Sequence, residues 1–300
     1  MNEKKGNIFI FLGALFWSLN APIVKGVDLP PLFISCYRSL IAGLVLLPFL
    51  KPKQIKESLN IYLIMFLLSY LGLCASITVA IKNTSPTIAI GMQYASILWI
   101  FCLNFFILNK KEHEKIPSIV LIFIGVVLFM TSNTTKGSSF GNLLAFFESI
   151  FFTLMTISSN KLKNINPLGL TALANIFTGI ILFFIIGTDK ALILNLQSNE
   201  LIAVVLLGCV QVALGYGCYN IGLKYTSSQN ASLIAICEMI LGPLWVFLFL
   251  HEGSNTQTLI GFAFIIVGLV SSYFFTRRKE SKLQKALVEK EAVKNEALYN

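Results

Sequence analysis

The chain is 300 residues long, 56% hydrophobic and only 12% charged, with 25 phenylalanines and 14 acidic residues. Soluble domains carry about 25% charged residues, so a large soluble enzyme is excluded, and at about 20 apolar residues per crossing the composition is that of a polytopic membrane protein. The net charge of +9 would raise the question of nucleic acid in a soluble protein; here the question is where the cations sit relative to the apolar segments.

The N-terminus, MNEKKGNIFIFLGALFWSLNAPIVKG, has a basic start and an apolar run with no small-residue cleavage site after it. It reads as a first membrane helix rather than a removed signal. Ten apolar segments follow in order, at roughly 7–24, 32–50, 60–81, 86–108, 116–132, 141–160, 167–187, 200–223, 229–250 and 256–276. Each is long enough to span as a helix and too long and evenly apolar for a barrel strand. Pro86, Pro117 and Pro167 stand at the first turn of a segment, where a missing N–H costs little, and Lys51-Pro52-Lys53 closes the second. The six cysteines, Cys36, Cys74, Cys102, Cys209, Cys218 and Cys237, all lie inside apolar stretches without metal or redox spacing, and read as small apolar residues.

The loops orient the chain. With the N-terminus in the cytoplasm, the inner loops hold Lys4, Lys5, Lys51, Lys53, Lys56, Lys110, Lys111, Lys115, Lys161, Lys163 and Lys224, and the tail adds Arg277, Arg278, Lys279, Lys282, Lys285, Lys290 and Lys294. The outer loops hold only Lys25, Lys82, Lys136 and Lys190. This bias predicts cytoplasmic termini in the cell membrane and accounts for the net charge without nucleic acid. The tail at 277–300, RRKESKLQKALVEKEAVKNEALYN, is expected to be helical in part. It is read as the solvated extension of a stop-transfer anchor, or alternatively as a membrane-surface or partner-binding segment.

The two halves echo each other. Gly6-Asn7 opens the first segment and Gly141-Asn142 the sixth; Lys82-Asn83-Thr84-Ser85 joins segments three and four, and Lys224-Tyr225-Thr226-Ser227 joins eight and nine. Ala89 then pairs with Ala231, and Gly125 with Gly268. Five segments per half is an odd number, so the second half enters from the opposite side. The expected fold is an all-α membrane protein of ten helices in two inverted repeats, 6–132 and 141–276, as in many secondary transporters.

The run Cys237-Glu238-Met239-Ile240-Leu241-Gly242-Pro243, then Phe249-Leu250-His251-Glu252, Gly261 and Val267-Gly268, resembles the ending of an EamA domain of the drug/metabolite transporter superfamily. The likeness extends over residues 1–276. Here Met239 follows Glu238 where the family often has proline, and Ser96 aligns with Glu238 in the first half, which lacks the acid. The resemblance implies ten helices, cytoplasmic termini, transport of small metabolites such as amino acids, and a fifth and tenth helix peripheral to the central cavity.

Charges inside spans are expensive, and three stand out: Arg38, Glu148 and Glu238. An acid at mid-span must be protonated, hydrated, hydrogen-bonded or paired, which suits proton coupling or a substrate ammonium; the structural alternative is a protonated pin between helices. Arg38 either snorkels to the outer interface or presents its forked donors to a substrate carboxylate. Gly13, Trp17, Asn20 and Val24 share one face of the first helix, and Gly208, Gln211, Gly215, Tyr219 and Gly222 form a stripe on the eighth; small residues there favour close packing. Trp17, Asn20, Gln93, Tyr94, Gln211 and Tyr219 complete the candidate substrate or coupling residues. Trp99 and Trp245 read as packing or interface residues, and His113 and His251 as loop residues.

No H-E-x-x-H motif or Walker loop occurs, so an enzyme or a primary pump is not expected, nor is a metal or cofactor. The expected function is secondary active transport of a small metabolite, an amino acid or a related compound, by alternating access, with protons as an option for coupling. A passive channel or membrane scaffold is the alternative. The expected partners are that small molecule and the lipid bilayer; the oligomeric state is left open.

Overall fold

The computed structural model describes residues 3–107, 113–132, 139–162, 164–223, 225–226 and 228–299. Among them every regular element is helical. Lys110, Lys111, Lys136, Lys163, Lys224 and Ser227, used above for orientation and for the repeat, lie outside the described residues.

Among the described residues eight helices are long and apolar enough to cross a membrane, and two shorter apolar ones, Pro86–Cys102 and Ile234–Leu250, fall where the fourth and ninth segments were expected. At about 1.5 Å per residue Pro86–Cys102 reaches roughly 25 Å, a little under the bilayer core of about 30 Å, whereas Ile234–Leu250 is the end of a 23-residue helix, Ser228–Leu250, long enough to cross. The outward faces are apolar: Leu44, Phe123, Phe184, Phe249 and Val267 are more than half exposed, as lipid contact requires.

Several segments are not single helices. The first is split into α1 (Glu3–Ser18) and α2 (Asn20–Gly26). Pro22 has no N–H for the carbonyl of Ser18, and the chain tightens at Leu19, whose N–H bonds Phe16 O at 3.3 Å. After α3 (Pro31–Leu46), the short α4 (Pro52–Glu57) and α5 (Ile61–Asn83), the fourth segment divides into α6 (Pro86–Tyr94) and α7 (Ser96–Cys102). There Ala95 N–H bonds Met92 O at 3.0 Å and Leu98 N–H bonds Ala95 O at 2.9 Å, two i→i−3 contacts that turn the helix more tightly. Then come α8 (Ile116–Met130), α9 (Ser139–Lys161) and α10 (Pro167–Ile185). The eighth segment consists of α11 (Ser198–Leu206), a π-helical stretch at Leu207–Leu214 and α12 (Gly215–Leu223). The chain closes with α13 (Ser228–Leu250) and α14 (Thr256–Tyr299). The tail, expected to be helical in part, continues the backbone of α14 without interruption to Tyr299.

The main helix pairs are α5 with α9, α1 with α12 and α13, α3 with α10, α8 with α14, and α6 with α9 and α13. Because successive segments run antiparallel, the bundle has two ends. The near end holds Asn7, Phe49, Asn166 and Thr226; the far end holds Lys25, Thr84, Asn142 and Glu252. Thr226 Oγ1 donates to Asn7 Oδ1 at 2.6 Å at the near end, and Thr84 Oγ1 donates to Asn142 Oδ1 at the far end.

Close backbone approach sets the α8–α14 contact. A Cβ on Gly125 would lie 2.6 Å from the Gly261 carbonyl oxygen and from Ile265 Cγ1, so any larger residue must push the two helices apart. Gly125→Val is expected to destabilise the folded protein by about 1–3 kcal/mol, the usual cost of overpacking. A lowered temperature of aggregation in detergent, read by size-exclusion chromatography, checks this.

Candidate functional site

Three of the irregular places in the helices border one cavity of about 680 Å³, within the range of small-molecule sites. The split between α1 and α2 brings Trp17 and Asn20 to its wall. The α6–α7 break brings Gln93, Tyr94 and Ser96, and the π-helical stretch brings Gln211. With Arg38, Tyr219 and Glu238, eight of the nine sequence-derived candidates line this single space. Glu148 is the exception: it is fully buried and not among the lining residues.

Arg38 does not snorkel. It is 3% exposed and turns inward from α3, where Nη1 donates to Asn20 Oδ1 at 2.7 Å and Nη2 to Cys74 O at 3.4 Å. One turn earlier on α3, Ser35 Oγ donates to the same Cys74 carbonyl at 2.6 Å and lies 2.7 Å from Thr78 Oγ1. These bonds fix α3 against α5 and aim the guanidinium across the cavity at the α2 N-terminus.

Glu238 projects from α13 on the other side. Tyr94 Oη donates to Glu238 Oε2 at 2.8 Å and also contacts Ala235 O at 3.1 Å. The salt bridges among the described residues are Lys25–Glu252 and Lys53–Glu57, so Arg38 and Glu238 are not neutralised by each other. A cavity with an inward-facing guanidinium and a separate, hydrogen-bonded carboxyl group suits a ligand that bears both signs of charge.

Aromatic rings make much of the remaining wall. Trp17 packs on Tyr216 (centroids 5.0 Å, 64° between planes) and on Tyr219 (4.9 Å, 40°). Gly215 makes this possible, since a Cβ there would sit 2.6 Å from the indole Cδ1 and Nε1. Tyr70 from α5 is held by Asn175 of α10, whose Nδ2 donates to its hydroxyl at 2.7 Å. The indole Nε1 of Trp17, Nε of Arg38 and Oε1 of Gln211 are buried without a hydrogen-bond partner among the described residues.

Sequence reasoning missed Tyr70, Tyr216, Cys74 and Ser96 as lining residues. The tenth helix is not peripheral either. α14 packs on α8 through Gly261 and Gly268, which leaves Leu269, Ser272, Tyr273 and Thr276 on the cavity side, whereas α8 contributes no lining residue. Trp99 and Trp245 pack between helices as expected, Nε1 of each donating to Ser149 Oγ (2.8 Å) and Ser18 Oγ (2.9 Å) respectively. Among the described residues no cluster of metal-ligating side chains occurs.

The lining runs from Asn20 and Arg38 to Thr276 near the near end. The far end is laced across. Lys25 Nζ lies 3.1 Å from Glu252 Oε2 and donates to Thr84 O at 3.1 Å. Lys82 Nζ donates to Val27 O, Ser85 Oγ meets Ser254 Oγ at 3.1 Å, and Ser132 Oγ meets Thr258 Oγ1 at 2.8 Å.

A helical membrane bundle around one polar-centred, aromatic-walled cavity defines a class of multi-pass proteins that handle small molecules. The chain belongs to the EamA-like transporter family, whose model matches residues 4–131 and again 139–274. A protein of Clostridium kluyveri described as an uncharacterized transporter is 27% identical over 308 residues, covering 94% of this chain and 97% of its own length. Another so described, from Archaeoglobus fulgidus, is 22% identical over 282 residues, with 90% and 97% covered. A solved crystal structure matches with a TM-score of 0.59 at 17% identity, over 92% of this chain and 99% of that one, a likeness of fold.

Proposed function

We propose that this protein is a ten-span secondary active transporter of the cell membrane, both termini cytoplasmic. Residues 6–132 and 141–276 are its two inverted repeats and 277–300 its cytoplasmic tail. It moves a small metabolite bearing an amine and a carboxylate, an amino acid or a related compound, by proton-coupled alternating access. The observation that carries this reading is the cavity itself, with Arg38 tethered to Asn20 on one side and Glu238 tethered to Tyr94 on the other. The guanidinium fork fits a carboxylate, the free lone pairs of Glu238 accept from an ammonium, and the Trp17–Tyr216–Tyr219 group takes an apolar or aromatic side chain.

The packing supports the inverted repeat. Exchanging each segment with the one five places away turns α5–α9 into α12–α1, and α1–α13 into α9–α6/α7. The same exchange leaves α3–α10, α8–α14 and α6–α13 unchanged, and all these pairs are present. It also maps the Thr226–Asn7 bond onto the Thr84–Asn142 bond, so each echoed Gly-Asn opening docks on the other half's Thr-Ser joint. The broken first, fourth and eighth segments at the cavity follow the pattern of discontinuous helices around a transporter site.

A passive pore is the second reading. The ion pair and hydroxyl contacts across the far end speak for a carrier closed on that side, because a pore needs a continuous path. Uptake of labelled amino acids into proteoliposomes under an imposed proton gradient tests the proposal. Accumulation above equilibrium that a protonophore abolishes is expected; downhill equilibration indifferent to the protonophore would favour the pore.

A further inference from the structure

Glu148 has no evident structural task. It lies on α9 behind the cavity wall, 0% exposed, and neither carboxylate oxygen has a hydrogen-bond partner among the described residues. A helix pin would show a bond to an acceptor on a neighbouring helix. An ionised carboxylate held dry and unpaired would be very costly. In the first repeat the equivalent of Glu148 is Gly13, by the same spacing that relates Asn7 to Asn142, so the packing of such a helix does not require a side chain there.

The charged or ionisable groups whose fields reach Glu148 are few. Arg38 comes from α3, Cys74 from α5 and Glu238 from α13. The α6 helix carries Tyr94, which is committed to Glu238. Cys102 of α7 opens on a separate lateral hollow with Trp99 and Ile150, and α8 has no ionisable side chain. Arg38 is therefore the one cation of this set. Its two Nη groups serve Asn20 and Cys74, but its Nε is buried and unpartnered.

We propose that Glu148 is a proton-binding site separate from the substrate cavity, and that loss of its proton draws the Arg38 guanidinium away from Asn20 and onto the new carboxylate. The proton leaves to water when the wall opens, and the carboxylate so formed takes the Nε–H and one Nη–H as a bidentate pair. The cavity then loses the group that would hold a substrate anion. Reprotonation frees the guanidinium to return to Asn20. Proton release and substrate release thus share one side chain, a consequence that rests on the transport reading above, whereas the proton site itself does not.

Infrared difference spectroscopy on the full chain in lipid, without substrate, tests it by titrating pH in a Glu238→Gln background, so that the other mid-span acid is silent. A protonated-carboxyl C=O stretch at neutral pH is expected. It should vanish at high pH together with a shift of the guanidinium bands, and both signals should be lost in Glu238→Gln/Glu148→Gln. If that double variant does not fold, Glu238→Gln/Glu148→Asp must move the carboxyl band to a new frequency. A band that survives Glu148→Gln, or does not move in Glu148→Asp, would overturn the proton site. A carboxyl band that titrates while the guanidinium bands stay still would overturn the link to Arg38. A failed substrate screen would leave these infrared results unaffected, so the two readings fall separately.

Discussion

Glu238→Gln is expected to cut transport tenfold or more while the bundle stays intact. The substitution preserves side-chain volume, and the amide oxygen can still accept from Tyr94, so the 2.8 Å tether on α13 survives in neutral form. What goes is the negative charge that, in the proposed function, meets a ligand ammonium. Hydrogen bonds to charged groups contribute about 1.5–3 kcal/mol, so binding of an amine-bearing substrate should weaken roughly tenfold to a hundredfold, and turnover should fall at least as much. Tyr94→Phe removes the tether but keeps the charge, and its loss should be smaller. Initial uptake rates in proteoliposomes, normalised to reconstituted protein, give both values. Wild-type rates in Glu238→Gln would remove this acid from the site.

Joining the two sides of the far end is expected to stop transport reversibly. Lys25 and Glu252 meet at 3.1 Å with side chains mostly buried, and the serine and threonine contacts beside them close the same end. If substrate must pass there, these contacts have to break in each cycle. Lys25→Cys/Glu252→Cys, in a background with the six native cysteines replaced, can be bridged by a short thiol-reactive cross-linker. Uptake is expected to fall to background and to recover on reduction. Breaking the pair without bridging it, as in Glu252→Gln, should cost much less, since partly exposed ion pairs contribute at most about 1 kcal/mol. Full uptake in the bridged protein would place the substrate path elsewhere.

The sequence made the long-period features legible. Apolar segments, loop lysines and the Gly-Asn and Thr-Ser echoes are local in the chain, and they identified eight of the residues that line the cavity. The echoes also turned out to touch across the halves, as Asn7 with Thr226 and Asn142 with Thr84, a relation that spacing alone cannot reveal. Pro22 was a visible signal for the break beside Asn20, whereas the α6–α7 break has no proline to announce it. Tyr70 stands in a largely apolar run, where the inward face of a helix cannot be told from the lipid face, and Tyr216 stands one residue off the Gly208–Gln211–Gly215–Tyr219–Gly222 stripe. The same ambiguity hid the difference between the two acids: Glu148 and Glu238 are both mid-span, but only the helix rotation in the folded bundle puts one at the cavity and the other behind its wall. Snorkelling and an inward-facing guanidinium both stay open for Arg38 in the sequence because its partners, Asn20 and the Cys74 carbonyl, come from other helices.

The most direct test of the central claim, that this cavity is the transport site, is substrate counterflow in proteoliposomes with wild-type protein, Arg38→Lys and Glu238→Gln side by side, using a panel of labelled amino acids and their decarboxylated amines. Exchange does not depend on a coupling gradient, so it reads the site alone. The account predicts that wild type exchanges at least one amino acid. It further predicts that Arg38→Lys, which keeps the charge but loses the fork, exchanges it poorly while tolerating the matching amine better, and that Glu238→Gln loses both. An amino acid exchanged at the same rate by all three proteins would contradict it.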